Sequence, residues 1–233
     1  MPWTRILISA ALAASGSAAI ADMLVVRAVG PTAAKFRPGQ KLPDSAKVTL
    51  AANDSLTLLD AKGTKTLRGP GTFTVSAPVA AAPARLAAIG GSDQRRARVG
   101  AVRGVGDTPK TRPDIWYVDA GAAGTTCLPA GTPATLWRSA TGAAGTTTIT
   151  TSDGKTATVI WVAGQASQPW PAIMPVTDRA RFSLTGSGTP PGGTQLETRL
   201  LPMTPTELEP MASTLIEAGC AAQLDLVIAA AGG

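Results

Sequence analysis

Between Leu24 and Val75 apolar residues recur in short runs separated by turn formers, a spacing that predicts strands. Leu24 to Val29 is the first run, and Val48-Thr49-Leu50 alternates as a half-buried strand should. Leu56-Thr57-Leu58-Leu59 meets Asp60-Ala61-Lys62-Gly63, then Thr64 to Leu67. Aspartate can bond its own backbone in such a turn and glycine can take positive φ, so the unit reads as a β-hairpin. Gly69-Pro70-Gly71 then leads into Thr72 to Val75, with Phe73 and Val75 on one face.

A second series begins at Ile115-Trp116-Tyr117-Val118 and continues at Thr135–Arg138, Thr146–Thr151, Thr156–Val162, Arg179–Thr185 and Gln195–Leu201. Asp153-Gly154 lies between two of these runs and is a favoured pair for a tight hairpin. The period then changes. Thr204-Pro205-Thr206-Glu207 fits a helix start, with threonine as cap, proline at the first position and glutamate completing a capping box. Leu208, Met211, Ala212, Leu215 and Ile216 share one face, while Pro210 either kinks the first turns or delays the start. Gly219 ends this helix, and a second helical piece runs from Ala221 to Ala231. The fold class expected is mainly β, two small β domains of sandwich or barrel type with a C-terminal helical segment.

Three segments complete the organisation. Residues 1–21 hold Arg5, an apolar run from Ile6 to Ala14 and Ala19-Ile20-Ala21 before Asp22, the parts of a cleavable signal peptide. The run is shorter than the ~20 residues a membrane-spanning helix needs, and no longer one follows, so no transmembrane segment is expected in the mature chain. The first domain is assigned to residues 22–78. Residues 79–114 form an Ala/Pro/Arg-rich linker that can return as a strand near 98–103, and residues 115–233 form the second domain.

The first unit supports a family resemblance. An apolar strand, then Gly39-Gln40-Lys41-Leu42-Pro43, a paired-strand unit ending Leu56-Thr57-Leu58-Leu59, and Leu67-Arg68-Gly69-Pro70-Gly71-Thr72-Phe73 resemble the FecR-type β domain of bacterial envelope proteins. The resemblance covers about a quarter of the chain. It implies a small periplasmic β module; it carries over no binding residues, and the transmembrane and cytoplasmic anti-sigma portions of the signalling members have no counterpart here.

The chain has two cysteines, Cys127 and Cys220, and an even count in an exported chain favours a disulfide. Such a bridge would fasten the C-terminal helix to the β layer of its own domain. The formal charge of +6 is concentrated before Ile115, where Arg95, Arg96, Arg98 and Arg103 form a basic stretch that can contact an acidic partner.

With no histidine in the chain, Ser-His-Asp and Cys-His mechanisms and histidine-rich zinc sites are excluded. Gly154-Lys155-Thr156 lacks the upstream glycine of a phosphate-binding loop, since Ile149 stands there. Asp119, Asp153, Asp178, Glu197, Glu207, Glu209 and Glu217 each have a structural role available, which leaves a carboxylate hydrolase as a distant alternative. Trp137 and Trp161 lie inside apolar strands. Trp170, between two prolines, is expected nearest the surface as a partner contact. The reading is a non-enzymatic periplasmic interaction protein without cofactor or metal, whose partner is an envelope protein or cell-wall component and not nucleic acid. The alternative is a glycan- or cell-wall-binding protein using exposed tryptophans.

Overall fold

The computed structural model describes residues 22–32, 35–76 and 112–232. The expected leader at residues 1–21, the basic stretch with Arg95, Arg96, Arg98 and Arg103, and the strand expected near 98–103 lie outside the described residues.

The first unit comprises β1 (Asp22–Val29), β2 (Lys41–Pro43), β3 (Lys47–Leu50), β4 (Ser55–Asp60), β5 (Gly63–Arg68) and β6 (Gly71–Thr74). An antiparallel sheet of order β2-β1-β4-β5 lies against the β3-β6 ribbon. Met23, Val25, Leu56 and Leu58 face Val48, Leu50 and Val75 in one core cluster. The successive residues Met23 to Val26 are all buried, so β1 is covered on both faces, as a continuous apolar run requires. A register shift between Val25 and Arg27 marks a bulge in its pairing with β4. The predicted hairpin forms as β4 and β5, its turn held by the Asp60 carboxylate, which accepts from the Lys62 and Gly63 amides at 2.7 and 2.9 Å.

The second unit holds β7 (Val118–Asp119), β8 (Gly124–Pro129), β9 (Thr135–Trp137), β10 (Gly145–Thr151), β11 (Thr156–Trp161), β12 (Ser167–Pro169), β13 (Arg181–Gly186) and β14 (Thr194–Leu201). A five-stranded sheet of order β11-β10-β13-β14-β8 accompanies a three-stranded one, β12-β9-β7. Both are open, and neither forms a closed barrel. Leu136, Trp137, Ile149, Trp161, Trp170, Phe182 and Leu184 are buried, and most of them join a single cluster between the sheets. Asp153-Gly154 does form the β10–β11 hairpin, through a three-residue loop: the Thr151 amide donates to Lys155 O and Gly154 takes φ 84°. The strand β8 is parallel to β14 across a long sequence gap.

Two helices follow β14, α1 (Leu208–Ala218) and α2 (Ala221–Ala231). The expected capping box does not form. Glu207 occupies the cap position without a side-chain bond, and the Met211 amide makes the first helical bond, to Glu207 O. Starting at Leu208 puts Pro210 in the first turn, where its missing N–H has no helical acceptor to lose; a start at Pro205 would have set it in the helix interior. Gly219 terminates α1 in the left-handed conformation at φ 76°, with its own and the Cys220 amide returning to Ile216 O and Leu215 O.

The helices belong to both units. Leu24, Val26 and Leu59 from the outer face of the first sheet share one core cluster with Leu208, Met211, Leu215 and Val227 of the helices and with Ile115, Cys127 and Leu201 of the second unit. Ion pairs Arg27–Asp225 and Lys41–Glu209 border that contact. Gly63 meets the far end of α2 so closely that a Cβ there would stand 2.8 Å from Ala231 O. The expected Cys127–Cys220 disulfide is present, with a Cα–Cα distance of 5.9 Å, and both cysteines are fully buried. It ties β8 to the turn between the helices.

Replacing both cysteines by alanine is expected to lower stability by about 2–4 kcal/mol in urea unfolding. Because β1 and β4 depend on the same helices, amide exchange should quicken in the first unit as well as in α1 and α2. A loss confined to the helices would show that the clamp does not couple the units.

Candidate functional site

The polar groups buried in this chain mostly hold segments together. Arg138 follows β9 and is 1% exposed, with no carboxylate partner among the described residues. Its Nε donates to Gln165 O at 3.0 Å, its Nη2 to Ala143 O and Val162 O at 2.9 and 3.1 Å, and its Nη1 to the Ser187 hydroxyl. The guanidinium also lies 4.8 Å from the centre of the Trp161 ring, whose Nε1–H donates to Thr147 Oγ1 at 2.7 Å. Burial pushes the Arg138 pKa down from its ordinary value. One side chain thus replaces the water that three loop carbonyls would otherwise need.

Gln223 does the same under α2. Its Oε1 accepts from the Cys127 amide at 2.6 Å, and its Nε2 donates to Cys127 O at 2.8 Å and Ile115 O at 2.9 Å. The carboxamide therefore occupies the outer edge of β8 as a neighbouring strand would. In the first unit Asp54, 3% exposed, accepts from the Thr32 hydroxyl, the Thr32 amide and the Ala51 amide. The Thr32 hydroxyl bond, first among these contacts, holds its carboxyl below the usual value.

Where the described part of the second unit begins, Arg112 is 6% exposed and donates through Nη1 to Tyr117 O at 3.2 Å. Its Nε and Nη2 have no partner among the described residues. Burial lowers its pKa, opposed by the charges of Asp119 and Asp114, while burial raises the Asp114 carboxyl.

The carboxylates weighed as catalytic candidates are dispersed. Asp119 accepts from the Gly121 amide, and Asp153 accepts from the Thr151 hydroxyl and holds Lys155 at 2.9 Å, which together bring its carboxyl down to about 2. Asp178 accepts from the Leu200 amide and lies near Arg179 and Arg199, while Arg181 pairs with Glu197 at 3.0 Å. Glu209 pairs with Lys41, and Glu217 accepts from Ser213. Among the described residues no group of three or more acidic or cysteine side chains is arranged to hold a metal ion.

The described tryptophans form no exposed platform. Trp137, Trp161 and Trp170 are 4%, 1% and 8% exposed. Trp170, expected nearest the surface, is core: it meets Phe182 edge to face at 5.0 Å and its Nε1–H donates to Met174 O at 2.8 Å. Its flanking prolines remain outside, and with Pro129, Pro133, Pro175, Leu128 and Leu200 they line a cleft of about 360 Å³ without a charged side chain. Flanking prolines gave the sequence its only sign of this concavity, and the roles of Arg138 and Gln223 had no sequence signal.

No protein-family model, curated protein or solved structure matches this chain.

Replacing Arg138 by methionine keeps the apolar stem but strands the Ala143, Val162 and Gln165 carbonyls, and is expected to cost about 2–4 kcal/mol in denaturant unfolding. Asp54 offers a pH test with the opposite outcome for its amide. Since its folded pKa lies below the ordinary 3.8, its contribution is complete above that value and is lost as pH falls through the lower folded pKa. The melting temperature should therefore fall further on acidification in the wild type than in Asp54→Asn, measured by circular dichroism.

Proposed function

We propose that this chain is a non-enzymatic exported protein of a bacterial envelope that acts by binding another envelope component. One observation carries the reading: a chain without histidine commits its buried polar side chains to holding loops and strand edges, and leaves at its surface an uncharged, proline-rich cleft beside Trp170. Such a cleft suits apolar side chains of a partner protein better than a charged polymer or a reacting substrate. The buried Cys127–Cys220 bridge supports an oxidising compartment, and the leader-like residues 1–21 support export with a mature start at Asp22. No helix among the described residues is long and apolar enough to cross a membrane. The FecR-like reading of the first unit is retained as part of this proposal, supported by the β4–β5 hairpin and the return of β6.

Mass spectrometry of the protein recovered from its host's periplasmic fraction is expected to give a chain starting at Asp22 with no titratable thiol. Recovery in the cytoplasm with Met1 intact and two free thiols would overturn the reading. On the mature chain, Pro171→Arg at the cleft should reduce capture of crosslinked envelope partners without changing the melting temperature.

A further inference from the structure

The two edges of the five-stranded sheet are treated differently. At β8 the Gln223 carboxamide bonds both the amide and the carbonyl of Cys127, so that edge is covered. At β11 the ladder leaves alternate residues facing outward. The Thr151 amide donates to Lys155 O, which makes the Ile149/Ala157, Thr147/Val159 and Gly145/Trp161 pairs the hydrogen-bonded ones. Ser187 N donates to Thr146 O, which confirms that Thr146 turns its backbone toward β13 and not toward Ile160. The amides and carbonyls of Thr156, Thr158 and Ile160 therefore point off the sheet. Among the described residues a single side-chain bond reaches this row, from Gln168 Nε2 to Ile160 O at 2.8 Å, and it leaves that oxygen a second lone pair.

Exposed edges are ordinarily blunted by lysine, proline or a bulge. None occurs from Thr156 to Trp161, and the adjacent Lys155 is held by Asp153. Two of the large apolar residues exposed to solvent, Ile160 at 68% and Val162 at 62%, stand on this strand and just beyond it. A row of outward backbone groups recognises an extended strand.

We propose that β11 is a self-association edge, at which a second copy of this chain adds its own β11 antiparallel about a two-fold axis at Thr158. In that register Thr158 faces Thr158 of the second copy, and Thr156 faces its Ile160. All three facing pairs are of the type that exchanges two hydrogen bonds, and each Ile160 packs on a threonine methyl. The row is its own complement and carries no charge, so two copies of a chain with formal charge +6 meet at an uncharged seam. Thr156, Thr158 and Ile160 offer a different extended peptide no charge to select it. The two five-stranded sheets become one. An edge this short buries less than the ~1,200 Å² of a standard interface, so the dimer forms reversibly.

Sedimentation velocity of the full mature chain over a concentration series tests this, and the mass is expected to rise from one chain toward two. Ile160→Lys should hold the protein at one chain with an unchanged circular dichroism spectrum. Since both native cysteines are bridged, Thr158→Cys supplies a lone reporter thiol. Facing pairs of this type lie about 5.5 Å apart at Cα, within disulfide reach, so it should form a covalent dimer on mild oxidation. Thr185→Cys, exposed on the same face but two strands inward, should not. Wild type that stays monomeric at every concentration, a dimer that survives Ile160→Lys, or equal crosslinking at both positions would overturn the proposal. So would a monomer whose β11 amides are protected from exchange only by an added envelope peptide.

Discussion

The packing of α1 and α2 between the two β units is the contact on which the arrangement of this chain rests. Neither unit can bury all its apolar surface by itself: β1 and β4 carry Leu24, Val26 and Leu59 on a face turned away from their own sandwich, and β8 presents Cys127 away from the second. The helices answer both. Covalent and polar fastenings converge at their junction, where the disulfide stands within the same turn as Gln223, and the latter pairs with the backbone of the bridged Cys127. A chain with few aromatic residues has little area to bury per residue, and sharing one helical layer between two sheets makes the available aliphatic surface count for both.

Buried polarity follows a second rule. Arg138, Gln223 and Asp54 sit where loops or strand edges leave backbone groups short of partners, and each satisfies several at once. This economy gives rigidity without a large core. It also separates those residues from chemistry at the surface, since their donors and acceptors are already engaged.

Legibility in the sequence followed locality. Alternation identified β3, Asp153-Gly154 the hairpin of β10 and β11, and Asp60 with Gly63 the first hairpin, because these depend on neighbours in the chain. The strand β8 escaped notice, since Gly124-Thr125-Thr126 reads as turn-like and its partner β14 is parallel and distant. The Thr204 cap failed because a proline six residues on outweighed a favourable four-residue motif. Trp170 was read as surface from its prolines, although its ring turns inward and only the prolines line the cleft. Arg138 and Gln223 could not be picked out at all, because a buried donor's worth depends on carbonyls that only the tertiary fold brings near it.

The shared helical layer also sets an order of events in time. A polypeptide delivered from its N-terminus presents β1 and β4 long before residues 208–231 are available. Until then the Leu24-Val26-Leu59 stripe has no cover, and the first unit exists as a sheet with one greasy face. Cover for that stripe therefore comes from residues far downstream of it, and a protein cut short before Leu208 displays it as an apolar mark of its own incompleteness to any chaperone or protease it meets.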